Sequence, residues 1–135
     1  MNIAVRYYTR SGNTKKLADA VACAVNAEAK DVSVPLSEKA DILFLGCSYY
    51  AFDIDETVKQ FITENKDNIG KIVCFGTSAM MKSMKKPLLK VTEPLNIIVA
   101  EEEFHCKGTF GPLHKGKPDE TDITAVTAFV KKFCE

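Results

Sequence analysis

Four short polar side chains crowd one six-residue stretch near the N-terminus: Thr9, Ser11, Asn13 and Thr14, within Thr9-Arg10-Ser11-Gly12-Asn13-Thr14. Gly12 supplies the one position where the backbone bends freely and a ligand can approach closely. A loop of this composition opening a helix presents backbone N–H groups and the positive end of the helix dipole, which suits a phosphate. No lysine follows the glycine as it does in nucleoside-triphosphate loops. A phosphate held by hydroxyls and amides alone points to a retained cofactor ester rather than a nucleotide undergoing hydrolysis. The same residue types also make ordinary N-caps and turns, so the rest of the chain decides between the readings.

Two further stretches carry chemistry. Cys47-Ser48-Tyr49-Tyr50-Ala51-Phe52-Asp53 puts three aromatics into four positions of an expected loop, and exposed aromatics ask for a planar partner or a protein surface. Thr77-Ser78-Ala79-Met80-Met81-Lys82 follows another apolar run. Elsewhere the pattern is bland. His105 and His114 have no spaced partner, and Cys106, adjacent to His105, would face the other side of a strand. No nucleophile elbow, zinc spacing or paired carboxylates emerge, so neither a catalytic residue nor a metal ligand is assigned. Cys23, Cys47, Cys74, Cys106 and Cys134 are odd in number and widely spaced, which reads as reduced, largely buried thiols.

The elements that would position these stretches follow from periodicity. Residues 2–8 read as a buried strand. Residues 13–26 read as a helix, with Leu17, Ala20, Val21, Ala24 and Val25 on one side and Lys15, Lys16 and Asp19 on the other. Val32, Val34 and the turn at Pro35 read as a short edge strand. The apolar run 42–46 has the character of a parallel strand covered on both faces. Val58, Phe61 and Ile62 mark a helix over 55–65, and 71–76 is another buried strand. Pro87 limits 82–91 to a short helix beginning near it, or a split one. Residues 95–100 form a last strand that 102–108 extends, with Glu101-Glu102-Glu103 covering an exposed strand end or serving as a contact patch for a basic partner. Residues 110–118 are a loop rich in Gly and Pro. The closing helix, 119–135, carries Ile123, Val126, Phe129, Val130 and Phe133, with Asp119 or Thr121 as cap and Asp122 well placed for the dipole.

The order β-α-β-β-α-β-α-β-α, with a helix lost between strands 2 and 3, predicts an α/β fold. It is a three-layer α/β/α sandwich around a doubly wound, five-stranded parallel sheet of order 2-1-3-4-5. Ligands then bind where strands 1 and 3 diverge. Residues 1–135 read as a single domain. Lys plus Arg equals Asp plus Glu, 18 each, with 46% hydrophobic and 27% charged residues, so no global field draws the chain to nucleic acid or membrane. Neither a signal peptide nor an apolar run of the ~18 residues that span a bilayer is evident, and a cytoplasmic location is expected.

Following an apolar first strand at the N-terminus, the run from Thr9 to Thr14 resembles the phosphate-binding signature of the flavodoxins, a type case of the strand-divergence rule. These small proteins hold FMN non-covalently and carry electrons, and the similarity extends loosely over the whole chain. The resemblance implies a phosphate loop of Thr9, Arg10, Ser11, Gly12, Asn13 and Thr14. It places Ser48, Tyr49, Tyr50, Ala51 and Phe52 on one side of the flavin ring and Thr77, Ser78, Ala79 and Met80 on the other.

Departures carry their own expectations. Ala51 stands where many members have a glycine whose peptide flips toward the reduced ring, and an alanine resists positive φ by on the order of 1 kcal/mol. Met80, Met81 and Lys82 replace an outer aromatic and its acidic neighbours. A sulfur can lie on a ring, and a nearby ammonium would make the fully reduced flavin easier to reach than in acidic members. The expected role is an electron carrier between protein redox partners. The alternatives are a flavin-dependent reductase of NAD(P)H or quinones, with 112–118 lining part of its pocket, or a module of the same fold that binds no flavin. A receiver domain is disfavoured, because strand 1 ends in Tyr7-Tyr8-Thr9 without an acidic pair.

Overall fold

In the computed structural model, the residues described are 1–9, 12–50, 53–77, 85–106, 116 and 118–134, with backbone only at 48–50 and 53. The sheet grows outward from β3 (Ile42–Tyr50), which pairs in parallel with β1 (Ile3–Tyr7) on one side and β5 (Lys71–Thr77) on the other. β2 (Ala29–Asp31) flanks β1, and two short strands, β6 (Ile98–Val99) and β7 (Phe104–Cys106), share the far side of β5. Counting β6 and β7 as one interrupted strand gives the anticipated parallel order 2-1-3-4-5.

Both faces are covered, which is why the central strands are apolar through their middles. Ile42 and Phe44 of β3, with Val73 and Phe75 of β5, point to the layer of α1 (Asn13–Val25) and α4 (Glu120–Lys131), where Leu17, Val21, Val126 and Val130 meet them. Leu43, Leu45 and Cys47, with Ile72 and Cys74, point the other way. They meet Val58, Phe61 and Ile62 of α2 (Glu56–Glu64) and Leu88 of α3 (Lys85–Thr92). Pro87 lies in the first turn of α3, where its missing N–H costs nothing. Asp119 caps α4 reciprocally with Asp122, a full capping box.

Four expectations need correction. β2 is Ala29–Asp31 rather than the Val32 and Val34 segment: Val5 pairs with Ala29 and Tyr7 with Asp31. Val32 is buried just beyond the strand, its N–H bonding Tyr7 O at 2.9 Å, and Val34 is exposed. The segment that replaces a helix here hangs on two buried side chains. Arg6 donates to Val34 O at 2.9 Å and Pro35 O at 3.2 Å, while Asn65 Oδ1 accepts from Leu36 N at 2.9 Å. Desolvation lowers the Arg6 pKa, and nearby Glu28 partly opposes this.

Second, the stretch after 46 is not all loop. β3 runs on to Tyr50, and Tyr49 and Tyr50 pair antiparallel with Ile54 and Asp53 of β4 (Asp53–Ile54). Third, the last strand is broken. Ile98 lies opposite Lys71 and Phe104 opposite Phe75, so two extra residues are inserted. An even insertion preserves which side chains face which layer. Fourth, the cysteines are free thiols, but only Cys47, Cys74 and Cys106 are buried; Cys23 and Cys134 are exposed.

Candidate functional site

β1 ends beside Gly46, where β3 runs on: Tyr7 pairs with Gly46, and Tyr8 N bonds Gly46 O at 3.0 Å. From there the chain turns into α1 across the strand-divergence point. Thr9 braces this turn, its Oγ1 accepting the Gly12 N–H at 2.9 Å. One loop amide is therefore held by the protein's own hydroxyl. Gly12 has φ 89° and ψ −5°, the left-handed region where glycine is favoured. A Cβ there would meet nothing within 4 Å, so space is open at Gly12 itself.

Thr14 is fully buried, and its Oγ1 lies 3.1 Å from Thr77 Oγ1 at the end of β5. That bond ties the start of α1 to the central sheet. Ser48 pairs with Thr77 in the β3–β5 register. The structure thus gathers Thr9, Gly12, Asn13, Thr14, Ser48 and Thr77 at one end of the sheet. Tyr49 and Tyr50 continue from there into the β3–β4 hairpin. Arg10, Ser11, Ala51, Phe52, Ser78, Ala79 and Met80 lie outside the described residues, as do Met81, Lys82 and His114.

Gly46 is a part that sequence reading missed. A Cβ on it would come within 2.5 Å of the Phe75 ring and 3.0 Å of Thr14 Cγ2, so only glycine lets α1 close onto β3 and β5. The signal was present, since a glycine ending a continuous apolar strand often marks close approach.

The helix starts differ electrically. Asp55 caps α2, with Glu56 in its first turn, and Asp119 caps α4, with Glu120 and Asp122 following. α1 has glycine as its N-cap, no side-chain cap bond and no acid in its first turn. Its positive end is therefore not neutralised by a carboxylate of its own.

The Cys74 thiol is a poor nucleophile. The Cys74 pKa is raised well above its ordinary value, first by a hydrogen bond with Cys47 and then by burial. Cys106 and Phe104 pack in the α1/α4 layer, so strand alternation puts His105 on the other face. A cleft of about 240 Å³ lined by Asn2, Arg6, Glu28 and Lys39 lies at the opposite end of the sheet. Among the described residues no group of three or more His, Cys, Asp or Glu could hold a metal, and no helix is long and apolar enough to cross a membrane.

A doubly wound sheet of this order, with a polar turn at its point of divergence, defines the flavodoxin-like class. A family model described as a flavodoxin domain matches residues 4–94, and the chain belongs to that family. It is similar to a flavodoxin from the domain Archaea at 18% identity and TM-score 0.77, covering 98% of this chain and 95% of that one. The oxidised Flavodoxin 1 of Bacillus cereus is 21% identical at TM-score 0.71, over 99% and 97% of the two chains. A flavodiiron core from Synechocystis is 15% identical at TM-score 0.76, where 98% of this chain covers 35% of that larger one. No curated protein sequence matches. These structural likenesses carry the fold alone.

Proposed function

We propose that the chain binds FMN at the turn of residues 9–14 and serves as an electron carrier between redox partners. The observation that carries this reading is the contrast between helix starts: α2 and α4 are capped by their own carboxylates, and α1, at the strand-divergence point, is not. A phosphate monoester would supply the missing negative charge. The open space over Gly12 fits a ligand resting on backbone. The family membership and flavodoxins among the structural neighbours support the same reading.

The protein's part is orientation. Thr9 holds the Gly12 amide, and the Thr14–Thr77 bond joins the start of α1 to the end of β5. Ser48, Tyr49, Tyr50, Ala51 and Phe52 would then face one side of the ring, and Thr77, Ser78, Ala79 and Met80 the other, with Arg10, Ser11 and Asn13 completing the phosphate loop. The bound flavin supplies the electron chemistry, and the chain sets its place and its electrostatic surroundings.

Titrating the full chain with FMN and with riboflavin, read by flavin absorbance and fluorescence, tests the reading. FMN should bind tighter. Asn13→Asp separates the phosphate from the helix: a carboxylate in the first turn stabilises α1 by about 0.3–1 kcal/mol but repels a phosphate. The expected result is a more stable protein with weaker FMN binding and unchanged riboflavin binding. Equal loss of both ligands, or none, contradicts the phosphate placement.

A further inference from the structure

The chain's neutrality conceals a segregated charge pattern. From 68 to 92 there are five lysines, Lys71, Lys82, Lys85, Lys86 and Lys90, and no Asp or Glu. Three of them lie on α3, the helix that follows the segment after β5. Lys86, Leu89, Lys90 and Glu93 are spaced as one outward stripe, while Leu88 and Thr92 point inward and are fully buried.

With Lys85, that stripe lines an open groove of about 480 Å³. Lys85 Nζ reaches Glu101 O at 3.3 Å. Lys86 and Lys90 are exposed and form no ion pair among the described residues, although Glu93 lines the same groove. Two like charges one turn apart repel each other, and among the described residues neither is neutralised by an ion pair.

We infer that the Lys85–Lys86–Lys90 face of α3 is a docking surface for a protein partner that presents carboxylates, placed beside the segment after β5 so that the partner meets the edge of the redox site. This inference rests on the electron-carrier reading above. The neighbouring elements bound the positive patch on two sides. α2 and the turn after it carry Glu56, Glu64 and Asp67 against Lys59 and Lys66, and the chain beyond α3 carries Glu93, Glu101 and Glu102 with no lysine from 91 to 106. α3 has eight residues, about 12 Å at 1.5 Å per residue. An island of that size suits the small, polar contacts of transient redox encounters and steers association more than it tightens it.

Other polyanions fit less well. A duplex needs a longer basic track, which the bounding acids interrupt. A bilayer needs an exposed apolar helix face, and the apolar residues of α3 are fully or half buried.

The test uses poly-L-glutamate as probe on the full chain at low salt, where the Debye length reaches about 30 Å. Binding should weaken about tenfold or more in the K86E/K90E double variant, and added salt should abolish it, as for a steered contact. A control with the same charge change on the α1/α4 face, K16E/K131E, should retain most of the binding. No binding by the native chain, equal loss in the control, or tighter binding to phosphatidylserine vesicles or duplex DNA overturns the assignment. FMN titration of the same samples reads the cofactor independently. A chain that takes up no flavin refutes the carrier reading, and FMN uptake by K86E/K90E equal to native assigns its glutamate defect to docking.

Discussion

The two helical layers of this sandwich are built to different standards. The α1/α4 layer is sealed by aromatic contacts: Phe44 meets Phe133 edge-on at 6.2 Å, Phe133 meets Phe129 at 5.3 Å, and Phe129 meets Phe104 at 6.0 Å. Lys132 lies over the Phe129 ring and bonds Glu102, fastening α4 to the edge of the sheet. The α2/α3 layer has two short helices and a pair of buried thiols. Among the described residues, all three buried side-chain polar atoms without a hydrogen-bond partner, Thr92 Oγ1, Glu103 Oε2 and His105 Nε2, fall on this side. Thr92 ends α3, and Glu103 and His105 alternate with Phe104 and Cys106, which face α4. The layer that holds the candidate phosphate turn is the well-packed one, and the layer with unsatisfied polarity carries the basic helix. On the readings proposed above, fixed geometry and a partner surface are kept on opposite faces of one sheet.

Phe44→Ala tests the packing contrast hardest. Phe44 is fully buried, and deleting a buried phenyl ring costs about 3–5 kcal/mol. Leu88→Ala, in the other layer, removes less volume and should cost less, within the usual ~2–5 kcal/mol. Urea unfolding of both variants gives the comparison. A larger loss from Leu88 would make the α2/α3 layer the tighter one and reverse the contrast.

Gly46→Ala comes next. Its Cβ would sit 2.5 Å from Phe75 Cε2 and 3.0 Å from Thr14 Cγ2, so the ring and the start of α1 must move apart, at about 1–3 kcal/mol for overpacking. Because Thr14 carries the bond to Thr77, FMN affinity should fall along with stability. Unfolding and flavin titration on one sample check both. Lost stability with unchanged flavin binding would show that the phosphate turn is not held by this contact.

How much of the fold and the site was legible in the sequence depended on whether a signal was local. The runs at 3–5, 42–46 and 72–76 are apolar because helices cover both sides, and that unbroken apolarity is enough to mark the parallel core. Gly12 was readable for the same local reason, a turn that needs positive φ. β2 was not, because Ala29, Lys30 and Asp31 have little strand preference and pair only because β1 offers them a register. The nearby valines looked more strand-like, yet Arg6 holds their segment in another shape. The two-residue insertion between β6 and β7 left no pattern, since an even insertion preserves alternation. The β3–β4 hairpin was hidden for the opposite reason: its aromatics drew attention to a ligand before a strand.

Thr92→Val gives a smaller effect of opposite sign. The Thr92 hydroxyl is buried without a hydrogen-bond partner, and valine replaces it with a methyl of nearly the same shape. Removing an unsatisfied hydroxyl recovers part of its desolvation penalty, and a gain of about 1 kcal/mol is expected. Thermal unfolding reads it, and a loss of stability would show that the hydroxyl has a partner in solution.

His105 supplies the finest test, because it acts through protonation with little change of packing. Desolvation lowers its pKa below the ordinary 6.5, so the folded ring resists a proton that the unfolded chain accepts. Between the folded value and 6.5 the unfolded state binds more protons, and stability falls as pH drops through that window; well above 6.5, where both states are neutral, the ring contributes no slope. Native protein and His105→Gln should therefore diverge in their urea midpoints between about pH 7.5 and pH 5.5, with the native chain losing more on acidification. Both proteins keep His114 and every carboxylate, so the difference between their slopes isolates this one ring. Parallel slopes would mean that the imidazole is solvated or finds a partner in solution, and the polarity of the α2/α3 layer would then rest on Thr92 and Glu103 alone.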